Sequence, residues 1–380
     1  MRIVYLINGL NGGGAAFPML QVIGLMQELG HDVRVIALMP QDGKAAARLE
    51  RAGIRYEVIG RGPRDFMAPA WRLIRRLRGL KPDLLWTSLT RGTIYGQWAG
   101  RLLSIPVVSW QHSDYLKPGN LAILRRTSGL SVRWIADSEA VSRFVETALR
   151  VPPHRIETWP PFVADPAAPT AEPWRGDGLM RLGTLGRLHH SKQYAVLLRA
   201  FARAREFDAG LAARIELLFA GDGPERTSLQ TLADSLGVGA AVRFIGFVER
   251  PSAFLVGLHG YLQTSLKEGF CIAAHEAMQA GLPVIATRVG QLAYSVRPGQ
   301  TGWLCDVGDV DALARAMLAM AGNPALSAQM GLAARACVLE RYSLARFRAV
   351  GERLITTLHN DITAEPPPDP TRRSASPPPP

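Results

Sequence analysis

The chain has 380 residues, with 44 Lys and Arg against 32 Asp and Glu, 47% hydrophobic residues and 3 cysteines. That length suits two domains, and the apolar fraction supports packed cores, which excludes a wholly disordered chain and a disulfide scaffold. The net charge of +12 is uneven: residues 1–160 carry 22 basic against 12 acidic residues, and the remainder is close to balance.

In chain order, strand and helix patterns alternate. Residues 2–7 form a short apolar strand, and a glycine-rich turn through Gly12, Gly13 and Gly14 leads into a helix over 17–29 with apolar residues at helical spacing. Strands over 31–38, 56–59, 83–87, 107–110 and 134–136 alternate with helices over 45–52, 68–77, 94–103 and 139–149. Asp137 and Ser138 read as the cap of that last helix. Residues 160–178 break the pattern with Pro160, Pro161, Pro166, Pro169 and Pro173, and read as a linker that flexes. The alternation then restarts: strands over 181–186, 214–220, 242–245, 260–264 and 283–287, and helices over 194–206, 229–236, 271–280, 310–321, 324–340 and 344–359. From residue 361 a Pro-rich tail is expected to be disordered. The expected fold class is α/β, two doubly wound Rossmann-like units facing each other across a cleft. The expected boundaries are 1–160 for the first domain, 161–178 for the linker, 179–343 for the second domain and 344–360 for a final crossover helix.

In such sheets ligands bind beyond the carboxyl ends of the strands, so chemistry should come from the loops that follow strands. Gly13 and Gly14 could let backbone amides approach an anion, although a turn without ligand explains them as well; the pattern is neither a dinucleotide fingerprint nor a P-loop. Arg187 and Lys192 follow the first strand of the second unit, a planar fork and a point charge suited to a diphosphate, with a solvated loop as the alternative. Asp222, in Gly221-Asp222-Gly223-Pro224, reads as a turn former. Glu268 precedes a helix start at Gly269, Phe270 and Cys271, and Glu276 lies eight residues further along. On a helix that puts the two carboxylates on the order of 10 Å apart, too far for a retaining glycosidase pair and suited to two hydroxyl-rich groups flanking a diphosphate. Apolar neighbours on both sides of Glu276 imply a partly buried acid. Cys271, Cys305 and Cys337 are scattered and read as reduced thiols, and His189, His190 and His275 as ordinary loop and helix residues. No cluster of His and Asp has metal-ligand spacing, so no bound metal is expected.

Taken together and in order, these loops resemble the GT-B glycosyltransferases, and within them the retaining family 4 enzymes, over about residues 1–358. The carrying residues are Gly13-Gly14, Gly186-Arg187-Leu188 with Lys192, Gly221 to Pro224, the Glu268/Glu276 pair running on through Met278 and Gly281 to Ala286, and Gly299 to Leu304. The resemblance implies retaining transfer of a sugar from a nucleotide-diphosphate sugar, UDP-sugar favoured and GDP-sugar the alternative, to a glycan or lipid-linked acceptor in cell-surface polysaccharide or glycolipid synthesis. It implies that Arg187 and Lys192 hold the diphosphate with the amides of Gly13, Gly14, Gly269, Phe270 and Cys271, that Glu268 faces the donor sugar, that Glu276 bonds the ribose and that His112 lies near the transferred sugar. Ala16 stands where the family often has an acid. A same-fold enzyme without acceptor transfer, epimerase- or phosphorylase-like, and a non-enzymatic nucleotide-sugar-binding protein are the rival readings.

The basic excess suits an anionic membrane surface or acceptor, or plain solubility; the amphipathic stretch from Trp71 to Arg78 reads equally as a membrane contact or a solvated basic face, and no nucleic-acid signature accompanies it. No run reaches the ~18 apolar residues of a membrane span, and the apolar run at 3–7 is too short for a secretory leader. A cytoplasmic protein, peripheral on the inner face of the plasma membrane, is the expectation.

Overall fold

A computed structural model describes residues 1–10, 18–40, 45–62, 65 and 67–363. The first half runs β1 (Arg2–Gly9), α1 (Met19–Glu28), β2 (Asp32–Met39), α2 (Ala46–Arg51), β3 (Tyr56–Val58), α3 (Met67–Leu80), β4 (Leu84–Ser88), α4 (Thr90–Leu103), β5 (Val107–Gln111), α5 (Pro118–Thr127), β6 (Arg133–Ala136), α6 (Glu139–Thr147) and β7 (Ile156–Thr158). The second runs β8 (Met180–Leu185), α7 (Tyr194–Phe207), α8 (Ala209–Ala212), β9 (Ile215–Ala220), α9 (Arg226–Ser235), β10 (Val242–Gly246), α10 (Pro251–Leu255), β11 (Gly260–Gln263), α11 (Ile272–Gln279), β12 (Val284–Thr287), α12 (Leu292–Ser295), β13 (Gly302–Cys305), α13 (Val310–Gly322) and α14 (Pro324–Arg341), followed by α15 (Leu344–Thr363).

All pairings within the two sheets are parallel, in the orders β3-β2-β1-β4-β5-β6-β7 and β10-β9-β8-β11-β12-β13. The central strands are apolar on both faces, as a parallel sheet covered by helices on both sides requires: Ile3 to Ile7 are all buried. The strand order reverses between β1 and β4 in one sheet and between β8 and β11 in the other. A crevice opens at such a reversal, and the loops after β8 and β11 carry the cationic and acidic motifs.

Ser138 caps α6 by accepting from the Val141 amide, and Asp137 does not share that task. α5, β7, α8, α10, α12 and β13 have no counterpart among the sequence expectations. α5 opens at Lys117-Pro118-Gly119-Asn120, a composition that reads as a turn, yet Pro at the first helical position is compatible with a helix start. The short α12, β7 and β13 are held by their neighbours and show too few residues for a period.

The Pro-rich segment differs from a loose linker. Trp174 is buried in the core of the second half, with Arg214 lying 4.8 Å over its ring. Asp165 N–H donates to Gln279 Oε1, Ala171 N–H to Ala280 O, and Arg335 to the carbonyls of Pro166 and Ala168. Most of residues 164–178 is therefore pinned to the second half. At the far end, α15 returns to the first half, where Phe347, Leu354, Ile355 and Leu358 join the core formed by Ile3, Tyr5, Trp86 and Trp159. Trp159 anchors the return by donating its indole N–H to the Phe347 carbonyl at 3.1 Å.

Candidate active site

The loop after β8 is shaped by close backbone contact. Gly221 has φ +131°, and a Cβ there would collide with the Gly186 carbonyl; a Cβ on Gly223 would collide with that of Leu188. Leu188 N–H donates to Asp222 O at 3.0 Å, and the Asp222 carboxylate accepts from the Gly223 amide, the turn-forming role read from the sequence. A second staple joins this loop to the one after β11: Leu266 N–H donates to Ser191 O, and the Thr264 hydroxyl to Lys192 O.

These staples bring Lys192 onto Glu268. Lys192 Nζ lies 2.5 Å from Glu268 Oε1, and the same oxygen accepts from Ser265 Oγ at 2.6 Å and Gln263 Nε2 at 3.2 Å. Gln263 is held in turn by the Tyr261 hydroxyl at 2.9 Å. Burial disfavours the charged form of Lys192, but the Glu268 carboxylate outweighs it and the ammonium is held well above its ordinary range. Gln263 and Ser265 were not singled out in the sequence; their proximity to Glu268 along the chain was the available signal. Arg187 is exposed and, among the described residues, makes no hydrogen bond or ion pair.

Glu276 sits on the second turn of α11. Burial pushes its carboxyl from 4.5 up to about 7, against a weaker opposing pull from Arg48 of the first half. Cys271 precedes the helix in the left-handed region at φ +63°, and its thiol is pushed up, first by burial and then by the charge of Glu268. The Phe270 side chain is core, 4.0 Å between centroids from His275 and edge-on to Tyr342. Only its backbone amide is thus available to a ligand. His275 is fully buried, lies 3.0 Å from Cys271 O and 2.8 Å from Ser295 Oγ, and is lowered to about 4 by burial. This is a structural histidine.

On the opposite wall His112 follows β5. Its Nδ1 is 3.1 Å from Asp137 Oδ2 and its Nε2 is 2.7 Å from Ser88 Oγ, with both the imidazole and the carboxylate nearly inaccessible. Gly269 closes the gap between the walls: a Cβ there would collide with the His112 carbonyl. Around this contact, Ser138 Oγ donates to Gly269 O at 3.5 Å, Glu139 N–H to Gln291 Oε1 at 3.2 Å, and Arg341 to Glu139 Oε1 at 2.6 Å. Lys267 Nζ lies 3.0 Å over the Tyr115 ring. Thus Glu268, Lys192 and His112 gather at one place between the halves, with Glu276 further along α11. Gly13 and Gly14 lie outside the described residues. Among the described residues no group of three or more His, Cys, Asp or Glu is placed to hold a metal ion.

Two doubly wound halves that meet across a cleft at their strand ends define the GT-B class of fold. Two family models match the chain, Glycosyltransferase Family 4 over residues 12–165 and Glycosyl transferases group 1 over residues 177–336. The chain belongs to this family, the group 1 glycosyltransferases of family 4. It is 24% identical over 369 residues to the lipopolysaccharide core biosynthesis glycosyltransferase LpsD of Rhizobium meliloti, covering 95% of this chain and 98% of the relative. It is 34% identical over 152 residues to N-acetyl-alpha-D-glucosaminyl L-malate synthase of Bacillus anthracis; that match spans 40% of this chain and 38% of the relative. Among solved structures, HepE of Anabaena in complex with UDP-glucose superposes with a TM-score of 0.80 at 20% identity, over 94% of this chain and all of that one.

Proposed function

We propose that the protein transfers a sugar, with retention of configuration and without a metal, from a nucleotide-diphosphate donor to a glycan or lipid-linked acceptor in cell-surface polysaccharide or glycolipid synthesis. The observation that carries this is the meeting of Lys192 and Glu268 at the strand-order reversal of the second sheet, with the raised acid Glu276 further along the next helix. Arg187, Lys192 and the amides at the start of α11, with those of Gly13 and Gly14, neutralise the leaving diphosphate. Glu268 orients the donor sugar, and Glu276 accepts from the ribose hydroxyls. UDP is the favoured base because HepE, of like fold, is described with UDP-glucose; GDP is the alternative. In this reading residues 179–343 hold the donor and residues 1–160 the acceptor, joined by 161–178 and by the crossover helix over 344–360.

On the acceptor side, the same reading rests α3 and α4 on an anionic bilayer. Trp71, Trp98 and Leu102 are about 60% exposed, beside exposed Arg75, Arg78 and Arg101. Two other arginines of α3 are already paired, Arg72 with Asp65 and Arg76 with Glu57, so the free basic charge is less than the sequence suggests. No helix among the described residues is long and apolar enough to cross a membrane.

Thermal unfolding with UDP, GDP, ADP and NAD tests the donor side. A nucleotide at ~100 times its dissociation constant adds about 2.7 kcal/mol of stability. One nucleoside diphosphate is expected to stabilise the native protein and not Glu276→Ala. Absence of a shift with every nucleoside diphosphate would favour a different function for the cleft.

A further inference from the structure

β4, β5 and β6 are adjacent parallel strands, and the residue at or just past the carboxyl end of each converges on one point: Ser88, His112 and Asp137. Both ring nitrogens of His112 are engaged, Nδ1 by Asp137 and Nε2 by Ser88, and the ring lies against Trp110 with centroids 4.9 Å apart. The Asp137 side chain is 5% exposed, and its second oxygen, Oδ1, is buried without a hydrogen-bond partner among the described residues. A carboxylate only accepts, so the proton that joins these two groups sits on His112 Nδ1. In the neutral ring Nε2 is then an acceptor, and the Ser88 hydroxyl donates to it.

We infer that Asp137 is a positioning residue for His112. It locks the imidazole as the Nδ1–H tautomer, so that Nε2 is presented as an acceptor for a hydroxyl, with Ser88 Oγ holding that place until a sugar hydroxyl takes it. The inference rests on the transferase reading for its consequence in catalysis, since the His112 carbonyl abuts Gly269, one residue from Glu268. The tautomer itself does not depend on that reading. The role of Asp137 is to choose which nitrogen carries the proton, as the buried carboxylate does in serine-protease triads.

The test is nitrogen NMR of protein with 15N-labelled histidine at mildly alkaline pH, with the His112 ring assigned by its loss in His112→Gln. The wild-type ring is expected to show an Nδ1–H and an unprotonated Nε2, and Asp137→Asn to move it toward Nε2–H. Ser88→Ala is expected to leave the Nδ1–H in place. Alongside, Asp137→Asn should lower kcat at least ~10-fold, with UDP affinity changed less than ~2-fold and activity partly restored by Asp137→Glu. A wild-type ring protonated on Nε2, or an Asp137→Asn ring with unchanged shifts, overturns the inference whether or not any variant is active. A wild-type protein with the expected tautomer that binds no nucleoside diphosphate and transfers no sugar overturns instead the transferase reading and leaves the positioning of His112 standing.

Discussion

Glu276, the acid proposed to accept from the ribose, works against the fold that holds it. Its carboxyl is raised from 4.5 to about 7 because burial penalises the charge more than Arg48 relieves it. An acid whose folded value lies above its unfolded value contributes stability in full below the unfolded value and loses it as pH rises through the folded one. Wild type should therefore lose about 1–3 kcal/mol relative to Glu276→Gln as pH is raised from acid to mildly alkaline. Chemical denaturation of both proteins across that range checks this; parallel curves would remove the shift. Ribose hydroxyls are better accepted by the charged form, so UDP affinity should strengthen through neutrality in wild type and not in Glu276→Gln, as read by calorimetric titration. At this scale the sequence placed Lys192 and Glu268 on loops after strands, and the structure brings the two together; Arg187 is exposed, and Glu276 lies further along α11. Asp137 was read as a helix cap because Ser138 beside it is one; its pairing with His112 crosses between neighbouring strands 25 residues apart, and no local pattern reports that.

Among the elements, the alternation of strands and helices was legible because long, apolar-periodic segments dominate both halves. Those that escaped are short or open with residues that mimic turns, such as α5 behind Pro118 and Gly119. The loop between β11 and α11 has a constraint that the sequence shows only as one more glycine. Gly269 has no room for a side chain, since the His112 carbonyl of the other half occupies that space. Gly269→Ala should cost about 1–3 kcal/mol, the scale of overpacking a tight contact. It retains the amide, so UDP binding should fall only a few-fold, whereas turnover should fall at least ~10-fold as the His112 loop is forced from the Glu268 loop. Melting temperature, UDP titration and kcat measured on one preparation separate these effects, and unchanged kcat would show that the contact is dispensable.

The whole molecule joins two walls, proposed above as the donor and acceptor sides, and the bias of charge toward residues 1–160 was visible from the sequence alone. Composition did not show how that charge is spent. Arg72 and Arg76 are neutralised locally, and Arg75 lies 5.7 Å over the exposed ring of Trp71. If α3 and α4 rest on lipid, the protein should float with vesicles rich in anionic lipid at physiological salt. Trp71→Ser combined with Trp98→Ser should then reduce the bound fraction several-fold while leaving UDP binding intact. Flotation that is unaffected by the double variant would move the contact elsewhere, and none at all would leave these side chains without a lipid role.

The chain passes between the halves twice, and the two passages touch: Ala164 N–H donates to Tyr342 O at 2.8 Å, and Ala164 bridges Ser343 in parallel. That single bridge fastens the two passages to each other at one point. Two connections fastened at one point resist separation of the halves and leave rotation about that point as their easiest relative movement. Opening and closing of the cleft should accordingly pivot there. The two walls would then return to the same registry on each cycle, and His112 would meet Gly269 at the same point every time.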